Sequence, residues 1–443
     1  MQLKKILIQT YGCQMNVYDT EIMKRLLHPK GYSFTSSAKT ADIILINTCA
    51  IREKAEQKVF SYLGRLSLLK QNRKKLIIGV CGCIAQNYGK RIIQRAPCVD
   101  FVVGTHGIFQ LPSIIEQVWK KSDHEKVFVD FNDNLDEGDI QQKPFLESSI
   151  SSFVTIIRGC DNYCSYCVVP YVRGREISRP PEAILNEIET KVSKGSREIT
   201  LLGQNVNSYG KRENLISFVQ LLEKVNHIKG LNRIRFTTSH PKDFNEDLIQ
   251  SFAHLDKLCS HIHLPVQSGS NDILKKMNRK YTRNDYLKKI EHLKAACPDI
   301  CITSDFIVGF PGETQKDFED SLSLIRTVEY DSLFAFQYSD RMVAPASRYA
   351  NKVDESVKRE RLVELLKVQA ENTLKKNNDC IGKKYQVLVE GKSKRDTGQW
   401  SGRTSGNKIV NFHAHENTRD LKATLVDVYI EEACAHSLRG VMG

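Results

Sequence analysis

Three textures of apolar and polar positions follow one another along the 443 residues. In the first, continuous apolar runs at residues 6–9, 43–46, 76–80 and 101–103 are each followed by a polar stretch of helical character. Strands apolar on both faces, alternating with helices, predict an open parallel α/β sheet covered on both sides. The second texture begins at Phe153, where strands are predicted at 153–157, 198–202, 233–237, 259–264, 302–308 and 333–337. Six strand–helix units suggest an incomplete parallel (βα)6 barrel, whose chemistry belongs at the strand C-termini. Residues 357–376 then read as a helix, with Leu362, Leu365 and Leu366 at helical spacing, packing on the barrel's side. In the third texture, turn-rich short strands at 385–389, 400–403, 408–412 and 421–430 suggest a small antiparallel β-barrel of the oligonucleotide-binding kind. The expected fold is therefore α/β with three domains, at 1–145, 146–376 and 377–443. The first boundary is placed in the Asp-, Asn-, Glu- and Ser-rich stretch 121–150, whose residues 132–139 resist core formation.

Composition narrows the setting. A hydrophobic content of 41% supports real cores, and no apolar run approaches the length of a membrane span. Residues 1–7 have the character of a signal-peptide start, but the apolar run stops at Gln9 and no small-residue cleavage site follows. Thirteen cysteines, an odd number mostly in motif-like groups, suit metal ligands and buried thiols in a reducing compartment, so a cytoplasmic location is expected. The formal charge of +13 favours a polyanionic partner, although a generally basic protein would show the same balance. In the third texture Lys392, Lys394, Arg395, Arg403 and Lys408 interleave with Trp400 and Phe412. Cations among aromatics suit RNA, and the competing reading is a solvated charged face.

The chemistry centres on residues 158–167, where Cys160, Cys164 and Cys167 stand in a CxxxCxxC frame with Tyr166 before the last cysteine. A structural zinc site wants four ligands, and no fourth Cys or His lies at zinc-ribbon spacing. An iron–sulfur cubane on three thiolates keeps one iron open for a non-protein ligand. Cys13, Cys49 and Cys83 each fall just past a predicted strand of the first texture, the edge where open α/β sheets build their sites. Three loops can thus converge three thiolates on a second cluster, with Cys81 a rival ligand and burial as small hydrophobes the alternative. The barrel strands end in polar residues, at 203–205, 238–240, 265–270 and 309–313. Among them Gln204, Ser239 and Gln267 are candidates to hydrogen-bond a zwitterionic, adenine-bearing cofactor or the substrate, with loop capping as the alternative. His261 and His263 lie within a strand and suit cross-strand roles. Arg173 and Arg175 follow the cysteine loop and suit either nucleic acid or a domain interface. Cys380 and Cys434 lack metal-like spacing and read as structural.

The CxxxCxxC frame resembles that of the radical S-adenosylmethionine (SAM) enzymes. Tyr11-Gly12-Cys13-Gln14-Met15-Asn16, Asn47-Thr48-Cys49 and Gly82-Cys83-Ile84-Ala85 resemble the three N-terminal motifs of the radical SAM methylthiotransferases. Ser401-Gly402-Arg403-Thr404 and residues 407–412 are similar to the RNA-binding TRAM domain. The resemblance implies two [4Fe-4S] clusters. One, on Cys160, Cys164 and Cys167, chelates SAM and yields a 5′-deoxyadenosyl radical; the other, on Cys13, Cys49 and Cys83, carries the sulfur to be transferred and leaves Cys81 out. Residues 168–171, 203–209 and 263–269 resemble the branch acting on N6-isopentenyladenosine beside the anticodon of tRNA. The implied partners are that tRNA and an electron donor such as flavodoxin or ferredoxin, with no membrane and a monomeric chain. Two rival substrates within the family are a ribosomal protein and threonylcarbamoyl-adenosine in tRNA. A rival of another class is an RNA-binding iron–sulfur redox sensor, which leaves the polar barrel edge unexplained. One departure stands out: the Glu of the glycine-rich strand end comes one position late, as Glu313.

Overall fold

The apolar runs of the first third become the middle of one parallel sheet. In the computed structural model, which describes residues 4–50, 53–120, 125–131, 149–394, 396–415, 418 and 420–443, strands β1 (Lys4–Tyr11), β2 (Tyr32–Phe34), β3 (Ile43–Thr48), β4 (Ile77–Gly82), β5 (Phe101–Val103) and β6 (Val127–Phe128) lie in the order β2-β1-β3-β4-β5-β6. Every residue of β3 and β4 is buried, as a parallel sheet covered on both faces requires. Alternate side chains feed two cores: Ile44, Ile46 and Val80 on one face, Ile43, Leu45 and Phe101 on the other. Tyr11 pairs with Thr48 and Thr48 with Gly82, so β1, β3 and β4 end level with one another. The polar stretch 132–139 and Arg395 lie outside the described residues.

The barrel opens with β7 (Ser151–Thr155). Next come β8 (Ile157–Arg158) and β9 (Ile177–Ser178), an antiparallel pair that closes the base of the cysteine loop. Two three-stranded parallel sheets follow, β7 with β10 (Glu198–Leu202) and β11 (Arg233–Phe236), then β12 (His261–His263), β13 (Cys301–Val308) and β14 (Ser332–Gln337). A parallel bridge between Ile234 and Leu258 joins them into one open wall of six strands in chain order. Helix Glu355–Asn378 packs beside β14, with Leu365 fully buried and Gln369 Nε2 donating to Tyr330 O at 2.7 Å. Leu366 points outward instead, because the helix meets the barrel along the line of Arg361, Leu365, Val368 and Gln369.

The C-terminal segment is a closed barrel, β15-β16-β17-β19-β18, of β15 (Lys384–Lys392), β16 (Trp400–Thr404), β17 (Ile409–His413), β18 (Leu425–Ala433) and β19 (Leu438–Met442). The sequence pattern did not predict β19, whose five residues are too few to show a clear period. This strand runs parallel to β17, so the expected antiparallel barrel has one parallel seam. The closed barrel docks on the N-terminal ends of the six-stranded wall. Arg233 donates to Arg403 O and Gln386 O, at 2.6 and 2.8 Å, and Arg235 to Thr404 O and Ser405 O, both at 2.8 Å. Lys408 pairs with Asp331 at 3.1 Å.

Candidate active site

The loop after β8 begins with Gly159, at φ 74°, where a side chain would run into the carbonyl of Arg175. Gln204, at the end of β10, accepts the Gly159 N–H at 2.6 Å and ties the loop to the barrel edge. Each of the three thiols that follow meets an N–H donor. Asn162 Nδ2 lies 3.6 Å from Cys160 Sγ, Arg279 Nη1 lies 3.5 Å from Cys164 Sγ, and the Val169 amide lies 3.5 Å from Cys167 Sγ. His240 adds a contact at 3.9 Å from Nε2 to Cys164 Sγ. Its Nδ1 accepts the Lys242 amide at 3.1 Å, which leaves the proton of the neutral ring on Nε2, facing the sulfur. Burial and the nearby Arg279 keep that ring neutral. Burial pushes the Cys160 thiol up to about 12 and raises Cys167 as well, with the neighbouring Cys164 adding to both. Such thiols stay protonated unless a metal centre replaces the proton, and donors aimed at all three sulfurs suit cluster ligation.

The second group forms where β1, β3 and β4 end level. Cys13 caps helix Gln14–Leu27, Cys49 follows β3, and Cys83 opens helix Cys83–Tyr88. Two asparagines of the motifs tie these ends together: Asn16 Nδ2 donates to Asn47 Oδ1 at 3.1 Å and to Thr48 O at 3.0 Å, and Asn47 Nδ2 donates to Asn16 O at 2.8 Å. Gly82, at φ 90°, lets the chain pass where a Cβ would come within 2.6 Å of Thr48 O. A hydrogen bond with Cys49 lowers the Cys13 thiol to about 6 against the opposing effect of burial, helped by Arg173. Burial raises Cys83, with Arg173 pulling the other way. Cys81 is still inside β4, fully buried, and pushed up to about 12. Among the described residues no three His, Cys, Asp or Glu side chains are arranged to hold a single metal ion. Three soft thiols in each group suit a polynuclear iron–sulfur centre, which spreads its ligands further apart.

Between the two groups runs helix Val169–Arg173, which starts two residues after Cys167. Its five residues rise about 7.5 Å. At its end Arg173, buried, pairs with Asp19 at 2.7 Å and acts on Cys83 and Cys13. Of the two arginines after the cysteine loop, Arg173 therefore serves the interface with the N-terminal sheet, while Arg175 is exposed and pairs with Asp161 at 3.1 Å. The same interface holds Tyr18, whose hydroxyl donates to Glu187 at 3.1 Å, and the Lys191–Glu21 ion pair.

The remaining candidates separate. Ser239, at the end of β11, is buried and its Oγ has no hydrogen-bond partner among the described residues, nor have Asn205 Oδ1 or either side-chain amide atom of Asn207 nearby. Orphaned polar atoms at strand C-termini suit a polar ligand. Gln267, also buried, turns the chain at φ 77° while its backbone pairs with Asp305 O and the Ile307 amide, both at 2.9 Å. Gln204 spends its carbonyl on Gly159. Glu313 accepts from the Gly309 amide at 2.6 Å and pairs with Arg361 at 2.8 Å, and burial pushes it up to about 7. His263 Nδ1 meets Thr303 Oγ1 at 3.0 Å, the cross-strand role expected. In the closed barrel Phe412 is core, Arg403 pairs with Glu390 and Lys408 with Asp331, while Lys392 sits 3.9 Å over the ring of Trp400. Of the basic residues singled out there, Lys392 and Lys394 are the exposed pair among those described. Sequence reasoning missed Arg279, whose signal, flanking Asn278 and Lys280 both in left-handed conformations, exists only in the fold.

An open six-stranded parallel wall, with three cysteines on the loop after its first strand, defines a radical SAM protein. The Radical SAM superfamily model matches residues 154–325, the TRAM domain model residues 379–442, and the model described as Uncharacterized protein family UPF0004 residues 5–104. Among solved structures, the radical SAM methyltransferase TsrM from Kitasatospora setae superposes with a TM-score of 0.57 at 12% identity, covering 78% of this chain and 77% of that one. The cobalamin-dependent radical SAM enzyme OxsB gives 0.53 at 13%, covering 83% and 56%. At these identities the likeness is one of fold. Curated relatives are far nearer. The tRNA-2-methylthio-N(6)-dimethylallyladenosine synthase of Desulfosudis oleivorans is 49% identical over 99% of this chain and 97% of its own. That of Syntrophus aciditrophicus is 50% identical over 99% and 94%. The chain belongs to this family of tRNA-2-methylthio-N(6)-dimethylallyladenosine synthases.

Proposed function

We propose that this chain is a radical SAM methylthiotransferase that converts N6-isopentenyladenosine, next to the anticodon of tRNA, to its 2-methylthio derivative. The observation that carries the reading is the helix Val169–Arg173, which leads from the Cys160/Cys164/Cys167 loop to Arg173 beside Cys13 and Cys83. An unreactive aromatic C–H needs hydrogen abstraction on one side and a sulfur donor on the other, and two separated centres meet that need. In the proposal Cys160, Cys164 and Cys167 hold a [4Fe-4S] cluster with SAM, and Cys13, Cys49 and Cys83 hold a second. When bound, these groups supply the electron, the radical chemistry and the sulfur.

The chain's own residues orient and insulate. Asn162, Arg279, His240 and the Val169 amide direct N–H groups at the first set of sulfurs, which stabilises thiolate charge and tunes the centre's potential. Gln204 fixes the loop that carries them, and Ser239 and Gln267 offer polar groups at the strand ends for SAM or the substrate. Arg173 and Asp19 lock the N-terminal sheet against the barrel, which sets the separation of the two centres. The three units at 1–145, 146–376 and 377–443 thereby divide the work between sulfur supply, radical generation and RNA binding. Among the described residues no helix is long and apolar enough to cross a membrane. The reading places the enzyme in the cytoplasm as a monomer, reduced by a flavodoxin- or ferredoxin-type donor.

The test is anaerobic reconstitution, an iron count, and incubation with reductant, SAM and tRNA bearing N6-isopentenyladenosine, followed by nucleoside mass spectrometry. About eight irons per chain and a methylthio-adenosine product are expected. SAM cleavage with eight irons but no such product would move the substrate to a ribosomal protein or another tRNA nucleoside. About four irons would remove Cys13, Cys49 and Cys83 as a cluster site.

A further inference from the structure

Two aromatic side chains beside the cysteine loop stand partly exposed. Tyr163 and Tyr171 are 44% and 37% exposed, and their rings meet edge to face with centroids 6.3 Å apart and planes at 83°. Tyr163 lies between Cys160 and Cys164 at φ 47°, a left-handed conformation unfavourable for any residue but glycine and, less so, Asn or Asp. It is held there by Asn278 Nδ2, which donates to Tyr163 O at 3.0 Å and lies 3.4 Å from Asn162 O. The backbone is thus held in a strained conformation that leaves the ring partly facing water. Tyr171 stands on helix Val169–Arg173, the segment that links the two groups of thiols. The pair thus stands on the loop and the helix that lead from one group of thiols to the other. Positive charge lies alongside, on Arg175, paired with Asp161, and on Lys242, which donates to Asn162 Oδ1 at 2.6 Å and lies 3.7 Å from Asp243.

We propose that Tyr163 and Tyr171 form an aromatic platform that seats the N6-isopentenyladenosine, with the purine stacked on one ring and the apolar prenyl group against the other. The pair is then a specificity determinant, and this inference rests on the function proposed above. Aromatic faces take both a base and a hydrocarbon branch, whereas the phosphates on either side call for cations at the rim. Rings set nearly at right angles offer two differently directed faces, which suits a ligand with two differently shaped parts.

The experiment measures dissociation constants of the reconstituted full-length protein for anticodon stem–loop RNA with and without the isopentenyl group. Wild type is compared with Tyr163→Ala, Tyr163→Phe, Tyr171→Ala and Tyr171→Phe, and iron content is recorded for each. Either alanine variant is expected to weaken binding of the prenylated RNA about ten-fold or more and to erase the preference over unprenylated RNA. The phenylalanine variants keep both, because stacking needs the ring and not the hydroxyl. KM for the prenylated RNA rises more than kcat falls. Should Tyr163→Ala lose iron, Tyr171→Ala, outside the cysteine loop, decides the matter. Wild-type affinity and preference in Tyr171→Ala would overturn the platform, as would a phenylalanine variant as weak as its alanine counterpart. Failure of wild type to modify prenylated tRNA would instead overturn the proposed function, so the two failures are distinct.

Discussion

Cys160, Cys164 and Cys167 come from a single loop, while Cys13, Cys49 and Cys83 arrive on three separate strand ends and meet only because β1, β3 and β4 finish level. The first group is local in sequence and takes its N–H donors from Asn162 and Val169 within the loop, with Arg279 and His240 from the barrel edge. The second is tied by the Asn16–Asn47 amide pair and takes its cation, Arg173, from the other side of an interface. Their electrostatics differ accordingly: Cys13 is lowered to about 6 and Cys160 raised to about 12. A site built from one loop carries its environment with it. A site built from three loops borrows part of its environment from a neighbouring domain, so it depends on docking as well as folding.

The largest expected effect separates the two groups outright. Cys164→Ala abolishes SAM cleavage, whereas Cys13→Ala leaves cleavage intact; each variant holds about four irons and forms no methylthio product. Equal loss of cleavage in both would show that the two groups do not act separately. Next, in iron-free protein at pH 7, Cys13 is a thiolate and Cys160 is not, because pH 7 lies above about 6 and far below about 12. Iodoacetamide should therefore label Cys13 more than about a hundredfold faster, read by peptide mass spectrometry, and the Cys13 rate itself should fall below pH 6 as its thiolate is protonated. Comparable rates would deny the difference in environment.

A smaller effect tests the borrowed cation. Arg173→Met leaves Asp19 buried and unpaired, at a cost of about 3–5 kcal/mol in a denaturant titration. Iron should be lost from the second group while the first keeps its four, and full retention of eight would refute the dependence on docking. Smallest of all is Asn162→Ala, which removes one N–H from Cys160. Iron content should hold, and the potential of the first cluster should fall by tens of millivolts, since a hydrogen bond to sulfur favours the reduced state. An unchanged potential would leave Asn162 with a loop-shaping role only.

Much of the fold was legible because continuous apolar runs and six repeated strand–helix units carry their own period. The fifth strand of the closed barrel, β19, was not, since five residues give no period and the partner strand β17 is chosen by closure. The cysteine loop was legible because its three cysteines share one segment. Arg279 was not, since nothing in Met277-Asn278-Arg279-Lys280-Tyr281 shows that its guanidinium meets Cys164 from across the barrel edge. The basic and aromatic residues of the third domain were read as suited to RNA, with a solvated charged face as the alternative, yet Lys408 and Phe412 belong to the docking contact and the core. Charge composition does not reveal which cations are already paired.

The sequence by itself determined the succession of elements, the close spacing of Cys160, Cys164 and Cys167, and the polar character of the strand ends, because hydrophobic period and residue spacing are properties of the chain read along its length. Tertiary structure alone decided that Cys81 stays inside its strand, that Arg173 faces the second group of thiols, and that Tyr163 and Tyr171 meet edge to face. Those outcomes depend on register, docking and a left-handed turn, which place residues far apart or oppositely directed in sequence at one point in space.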